Sequence, residues 1–333
     1  MKYRNLGKSD LKVSLVAFGG WSIGGGEMWG ETSEEESIRT IHAAFDSGIT
    51  FFDTAPPYGD GKSEKLLGKA LSGRRSDALI ATKLSPPYKD RDHTRRMFEK
   101  SLKNLQTDYV DLLQLHWPST EHIGNSEIID LMLQLKTEGK VREIGISNFG
   151  PYELEHTDGI EHCISNQLPY NLLFRAIEYE ILPAVKKRNM GLLAYSTLMH
   201  GLLAGKFNTP EEVPEGRART RHFSSDRPLA RHGEPGHEVE TFSALLKIRN
   251  LAEESGLSMW ELSSAWILQR DGVSCALIGA RNPLQAVAHA RVADIVLGED
   301  MILSLNEATS DLKNAMGPNP DMWQADSRVH YSE

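Results

Sequence analysis

Short apolar runs alternate along this chain with longer stretches of helical periodicity. Short apolar runs at 15–19, 49–52, 78–82 and 109–115, with further strand-like stretches near 141–147, 163–167, 191–195 and 275–279, read as eight strands of a sheet packed on both faces. Helical spacing fills the gaps, at about 63–72, 92–106, 126–138, 150–158, 176–188 and 283–292, with Gly139 and Gly191 as stop or turn signals. The helix after the first run is typical. Ser33 and Glu36 form a capping box, Ile38, Ile41 and Phe45 make one apolar stripe, and Gly48 ends it. Strand and helix in strict alternation indicate βα units and a parallel sheet, and eight strands are what a closed (β/α)8 TIM barrel requires. The predicted fold class is therefore α/β. Ahead of the barrel, residues 3–14 form two short runs around Gly7, Ser9 and Asp10, which predicts an N-terminal β-hairpin.

Two stretches break the rhythm. Residues 204–238 hold Pro210, Pro214, Pro228 and Pro235 with little periodicity, too long for a plain connector, and predict a functional loop. Residues 317–333 form a non-helical tail. Neither has the apolar periodicity to order itself, so both are expected to gain order when ligands bind at the C-terminal mouth of the barrel.

Composition narrows the function classes. With 333 residues, 40% of them apolar, the chain can bury one large core, and a single barrel domain over 1–333 is expected. Cys163 and Cys275 lie far apart in apolar runs without metal-ligand spacing, and read as reduced core thiols. No metal site is predicted. The N-terminus lacks a signal peptide's apolar region and no run reaches the length of a spanning helix, so a soluble cytoplasmic protein with no membrane partner is expected. A net charge of −9 argues against nucleic acid as a partner.

Four polar residues sit at or just past the ends of apolar runs: Asp53 and Tyr58 after 49–52, Lys83 after 78–82, and His116 after 109–115. In a closed barrel such positions gather around one mouth. Their identities and spacing resemble the catalytic Asp, Tyr, Lys and His of the aldo-keto reductase superfamily, and further segments match in order. Gly145-Ile-Ser147-Asn148-Phe149 resembles the family's strand-end Ser-Asn. Asn166-Gln167 and the stretch from Tyr195 and Ser196 through Leu198 and Gly201 to Lys206 resemble its nicotinamide and pyrophosphate contacts. Gly279, Arg281 and Gln285 resemble its adenosine-phosphate site. Gly20 and Trp21, after the first strand, join the cofactor set. The resemblance runs from about residue 2 to 292. One departure falls on the adenine edge, where Ala288-His289 stands in place of the Glu-Asn of many members.

The resemblance implies hydride transfer between NADPH/NADP+ and a carbonyl, with NADH left open as a substitute. Charge develops on the carbonyl oxygen, so a proton donor must reach it, and Tyr58 fills that role. A phenol ionises near pH ~10; the ammonium of Lys83 is expected to lower that, Asp53 to hold Lys83 charged and aimed, and His116 to orient the carbonyl. Singly, each has an ordinary structural reading as a turn cap, a packed ring, a satisfied histidine or an architectural ion pair. Their joint occurrence in order decides for chemistry. No Gly-x-Gly-x-x-Gly follows a strand, which argues against a Rossmann domain, and Gly24-Gly25-Gly26 reads as a loop at the barrel mouth. Trp21, Tyr58, Trp117 and Trp323 are the candidate walls of the substrate pocket. Residues 216–232 carry Arg217, Arg219, Arg221, Arg227 and Arg231 against the single acid Asp226, a basic island that either closes over phosphates or is a solvated loop. The substrate is expected to be a small aldehyde or ketone. Oxidation of a sugar or polyol by NAD(P)+, or a cofactor-binding regulatory subunit, are the alternatives. Oligomeric state is not readable.

Overall fold

The computed structural model describes residues 1–26, 28–120 and 122–331. Strands β1 (Tyr3–Asn5) and β2 (Lys12–Ser14) pair antiparallel as the predicted hairpin, with Tyr3 opposite Ser14. Then come β3 (Val16–Gly19), β4 (Phe51–Asp53), β5 (Leu79–Leu84), β6 (Val110–Leu115), β7 (Val141–Ser147), β8 (Ser165–Pro169), β9 (Gly191–Tyr195) and β10 (Val273–Ile278). These eight close into a parallel barrel, β10 pairing with β3.

Period-two alternation sorts each strand's side chains. Ala17, Phe51, Ala81, Leu112, Leu193 and Cys275 point inward and pack with Leu6, Leu11 and Val13 of the hairpin, which fills the bottom of the barrel. Their neighbours Phe18, Phe52, Ile80, Leu113 and Leu192 point outward, into the layer shared with the helices. Both cysteines are buried and free, and burial raises their thiols, Cys163 to about 12. They are inert core residues, as expected.

The helices are α1 (Trp21–Gly24), α2 (Glu34–Asp46), α3 (Lys62–Ala70), α4 (Arg91–Leu105), α5 (Asn125–Thr137), α6 (Pro151–His156), α7 (Ile181–Lys187), α8 (Glu238–Ser255), α9 (Met259–Leu268), α10 (Pro283–Arg291), α11 (Glu299–Ala308) and α12 (Ser310–Met316). Ser33 caps α2 by accepting from the Glu36 N–H. The helix expected over 176–188 divides into a 3-10 turn at Ala176–Glu178 and α7. Pro183 is the reason: it lacks an N–H and is tolerated only in a first helical turn, so α7 starts at Ile181. Helices α8, α9, α11 and α12 extend the fold beyond the helices read from the sequence. None of the described helices is long and apolar enough to cross a membrane.

The loop and tail correct the expectation that neither orders itself. Val213, Ala218 and Phe223 are buried, and Arg221 pairs with Glu234 at 2.7 Å while donating to the carbonyls of Met316 and Asn319. Arg227 pairs with Glu215 and Glu238. The acids that neutralise these arginines lie just outside 216–232, which is why that window looked so basic. In the tail, Met322 and Val329 are buried, Arg328 grips the buried Asp321 with two hydrogen bonds, and the His330 ring reaches Glu153 at the start of α6. A few anchors replace periodicity.

Candidate active site

Asp53 ends β4, Lys83 lies one residue inside the end of β5, and His116 follows β6, so sheet register alone brings them together: Asp53 stands opposite Ala81, and Lys83 opposite Gln114. Tyr58 arrives on the turn after β4. Gly59 continues that turn at φ +64°, where a side chain would strike the Gly24 carbonyl 2.2 Å away. The glycine-rich first loop thus seats the tyrosine.

The Lys83 ammonium is fully buried. It bonds both Asp53 oxygens at 2.7 and 2.9 Å, the Thr54 carbonyl at 2.9 Å and the Tyr58 hydroxyl at 3.4 Å. Asp53 Oδ1 also accepts from the side-chain amides of Gln167 at 2.8 Å and Gln114 at 3.2 Å. Burial lowers the Lys83 pKa, and the adjoining carboxylate opposes it. Tyr58 corrects the expected lowering: burial first, and then the charge of Asp53, raise the phenol well above its ordinary value. The positive charge that would lower it is already matched by Asp53. Burial, followed by Lys83 and Arg328, holds His116 well below 6.5 and therefore neutral at pH 7.

A cavity of about 730 Å³ opens from Asp53 and Tyr58, passes Gln167, Tyr195, Ser196, Leu198 and Gly201, and ends at Gly279, Arg281, Gln285 and His289. Trp21 lines it and stacks on Tyr58 with ring centres 6.0 Å apart. Behind them Trp323 of the tail stands edge-on to Trp21 at 6.2 Å and 5.2 Å from His200, both of which line the cavity. At the far end Lys206, Arg217 and Arg281 converge. Burial, then Arg217 and Arg281, depress the Lys206 ammonium, and burial, then Arg281, depress Arg217. Crowded cations of this kind favour a bound anion. Asn282 caps α10 by accepting from the Gln285 N–H, and the Gln285 side chain accepts from the Arg281 N–H. Burial holds His289 near 4, so it offers the cavity a neutral ring whose Nδ1 lacks a hydrogen-bond partner.

Several predicted residues lie elsewhere than on the cavity wall. Gly20 sits beneath it, its N–H bonded to the Asp53 carbonyl. The Ser147 hydroxyl donates to the Gln167 carbonyl. Asn148, expected to face the cofactor, spends its amide on the His116 carbonyl and on the Tyr195 hydroxyl, tying three strand ends together. Trp117 carries the Arg328 guanidinium on its ring face at 3.5 Å instead of facing the cavity. The wall also contains residues the sequence reading passed over: Trp29, His200 and Trp260. His200 lies inside the quoted Tyr195–Lys206 segment. Its positive φ, shared by Ser196 and Met199, is a bend that no apolar pattern signals.

The sequence pattern of the Aldo/keto reductase family matches residues 15–309. The chain belongs to that family. An aldo-keto reductase of Bacillus subtilis is 36% identical, the alignment covering 96% of this chain and 97% of the relative. Among solved structures, the glycerol dehydrogenase of Gluconobacter oxydans is 32% identical with a TM-score of 0.76, covering 96% and 97% of the two chains. An aldo/keto reductase from Klebsiella pneumoniae in complex with NADP and acetate is 28% identical with a TM-score of 0.72, covering 92% and 94%. In this aldo/keto reductase, then, the cavity joins a buried Asp–Lys–Tyr cluster at one end to a cluster of cations at the other.

Proposed function

We propose that this aldo/keto reductase reduces an aldehyde or ketone to an alcohol with NADPH, Tyr58 acting as general acid. The observation that carries the reading is the bonded chain Asp53–Lys83–Tyr58, buried at the closed end of the cavity beside the neutral ring of His116. The cavity suits a dinucleotide phosphate: Lys206, Arg217 and Arg281 supply an anion site, Tyr195 an aromatic face, and His289 an idle ring nitrogen for a base edge. The NADP named in the Klebsiella structure supports the same cofactor. When bound, NADPH supplies the hydride.

The side chains would divide the remaining work. A carbonyl oxygen that gains charge needs donors in place beforehand. Tyr58, kept protonated by its surroundings, provides one and yields its proton to that oxygen. Lys83 fixes the hydroxyl's position and stabilises the phenolate left behind, while Asp53 holds Lys83 in place. Trp21 and Trp323 exclude water from one side. Alcohol oxidation uses the same groups in reverse, and the name of the Gluconobacter relative favours testing polyols alongside carbonyls.

Steady-state kinetics on carbonyl and polyol panels with NADPH and NADH test the reading. Tyr58→Phe should keep its fold and NADPH binding while carbonyl reduction falls at least ~100-fold, the usual loss for a general acid. Turnover near wild type would refute the assignment.

A further inference from the structure

Ser85 lies just past the end of β5, two residues beyond Lys83, and is 5% exposed. Its Oγ stands 2.7 Å from Nδ1 of His116. A neutral imidazole has one N–H and one bare nitrogen, and a hydroxyl has one proton to give. Two arrangements fit the distance. In the first, Nδ1–H donates to Ser85, and the buried hydroxyl proton must find another acceptor. His116 Nδ1 is the hydrogen-bond partner that Ser85 Oγ has among the described residues. In the second, the hydroxyl donates to Nδ1 and both atoms are satisfied at once. Buried donors are rarely left idle, so the second holds.

We infer that Ser85 is a positioning residue that locks His116 in its Nε2–H tautomer, so that the ring presents a donor to a carbonyl oxygen held at Tyr58. This rests on the carbonyl-reductase reading of the site. The ring of His116 stands edge-on to that of Tyr58, centres 6.3 Å apart, and with Nδ1 engaged by Ser85 the nitrogen left for substrate is Nε2. The opposite tautomer would turn a lone pair toward an oxygen that is gaining negative charge. The backbone is held as well: the His116 N–H donates to the Leu84 carbonyl, and Asn148 donates to the His116 carbonyl. With the main chain fixed on both sides, the hydroxyl is what selects between tautomers.

Nitrogen-15 NMR of histidine-labelled protein, with the His116 signals assigned by loss in His116→Asn, reads the tautomer directly. Wild-type enzyme should show a protonated Nε2 and a bare Nδ1; a protonated Nδ1 would overturn the inference without any variant. Ser85→Ala should give averaged or inverted signals, with kcat for carbonyl reduction down roughly 10- to 100-fold, less than the loss of a whole oxyanion donor, and KM for NADPH unchanged. Ser85→Thr should restore both. If Ser85→Ala fails to fold, Ser85→Cys, a weaker donor, should shift the tautomer signals in the same direction. A Ser85→Ala enzyme that keeps the wild-type tautomer overturns the inference whatever its kcat. Wild-type protein showing the Nε2–H tautomer but no turnover on either panel would keep the lock and reject the proposed function.

Discussion

The floor and the roof of this cavity are built by different means. The floor, with Asp53, Lys83 and His116, hangs on three adjacent strands whose ladder hydrogen bonds fix each side chain to within a residue's register. The roof, made from the loop after β9 and the C-terminal tail, has one 3-10 turn between residues 205 and 237, and stands on point fastenings: Arg221 to Glu234, Arg227 to Glu215, and Arg328 to Asp321. A ladder shares its load among many bonds. A fastening fails singly, so the roof is expected to open before the floor, and hydrogen exchange reads that order.

Removing one partner from each region breaks the comparison most sharply. Lys83→Met leaves the Asp53 carboxylate buried with two amides and no cation, which should destabilise the protein by about 3–5 kcal/mol and reduce turnover at least ~100-fold. Asp321→Asn is the matching cut in the roof. Arg328 is about a third exposed and can turn to water, so the cost there should be only about 1–2 kcal/mol. Because Trp323 leans on Trp21 from the same segment, KM for the carbonyl should rise while KM for NADPH holds. Urea titration and steady-state kinetics measure both variants, and equal losses would show that floor and roof are one cooperative unit.

The same contrast explains what the sequence could and could not disclose. Asp53, Lys83 and His116 stood out because a polar residue ending an apolar run is conspicuous and register does the rest. Trp323, read from its position in the tail, packs on Trp21 and His200 of the cavity wall. Two contacts were beyond the sequence: Asn148, at φ +61°, bonds the His116 carbonyl and the Tyr195 hydroxyl, and the Trp117 ring carries Arg328, over two hundred residues downstream. The arginines of 216–232 suggested a free basic surface since their acids sit outside that window. Of them, Arg217 faces the cavity with its charge acted on by burial and Arg281, while Arg221 and Arg227 are structural. Ser85 carried no signal, since its meaning lies entirely in one distance across two strands.

Where Lys206, Arg217 and Arg281 converge, floor meets roof. Arg281 follows β10 and is exposed, whereas Lys206 and Arg217 come from the segment after β9. Arg281→Ala should weaken NADPH by about 1.5–3 kcal/mol and leave NADH nearly unchanged, as expected for a guanidinium on the 2′-phosphate. Titration with both cofactors checks this, and parallel weakening would place Arg281 on the pyrophosphate instead.

The smallest expected effect is a pH dependence that separates the two regions by their histidines. His200 and His222 are buried in the roof and held near 3; their causes are burial first, then neighbouring cations or rings, with the Leu173 carbonyl partly opposing the shift at His222. His116 in the floor is lowered by burial and Lys83. A histidine with a depressed folded pKa binds fewer protons folded than unfolded. Its contribution is therefore intact above 6.5 and is lost progressively as pH falls from there toward 3. Each should cost about 1 kcal/mol between pH 7.5 and 5.5, since one unit below the unfolded pKa is worth about 1.4 kcal/mol. Opening the roof exposes His200 and His222 without separating a barrel strand, so acid should act there first. Hydrogen exchange at both pH values, corrected for intrinsic rates, should show protection falling in residues 205–237 before it falls in β4–β6, and His222→Gln should remove about a fifth to a quarter of the pH slope in global stability, since His116, His200, His232 and His289 are also depressed. Loss of protection in strands and loop together would mean that the roof has no independent opening, and that its fastenings hold as firmly as the ladder.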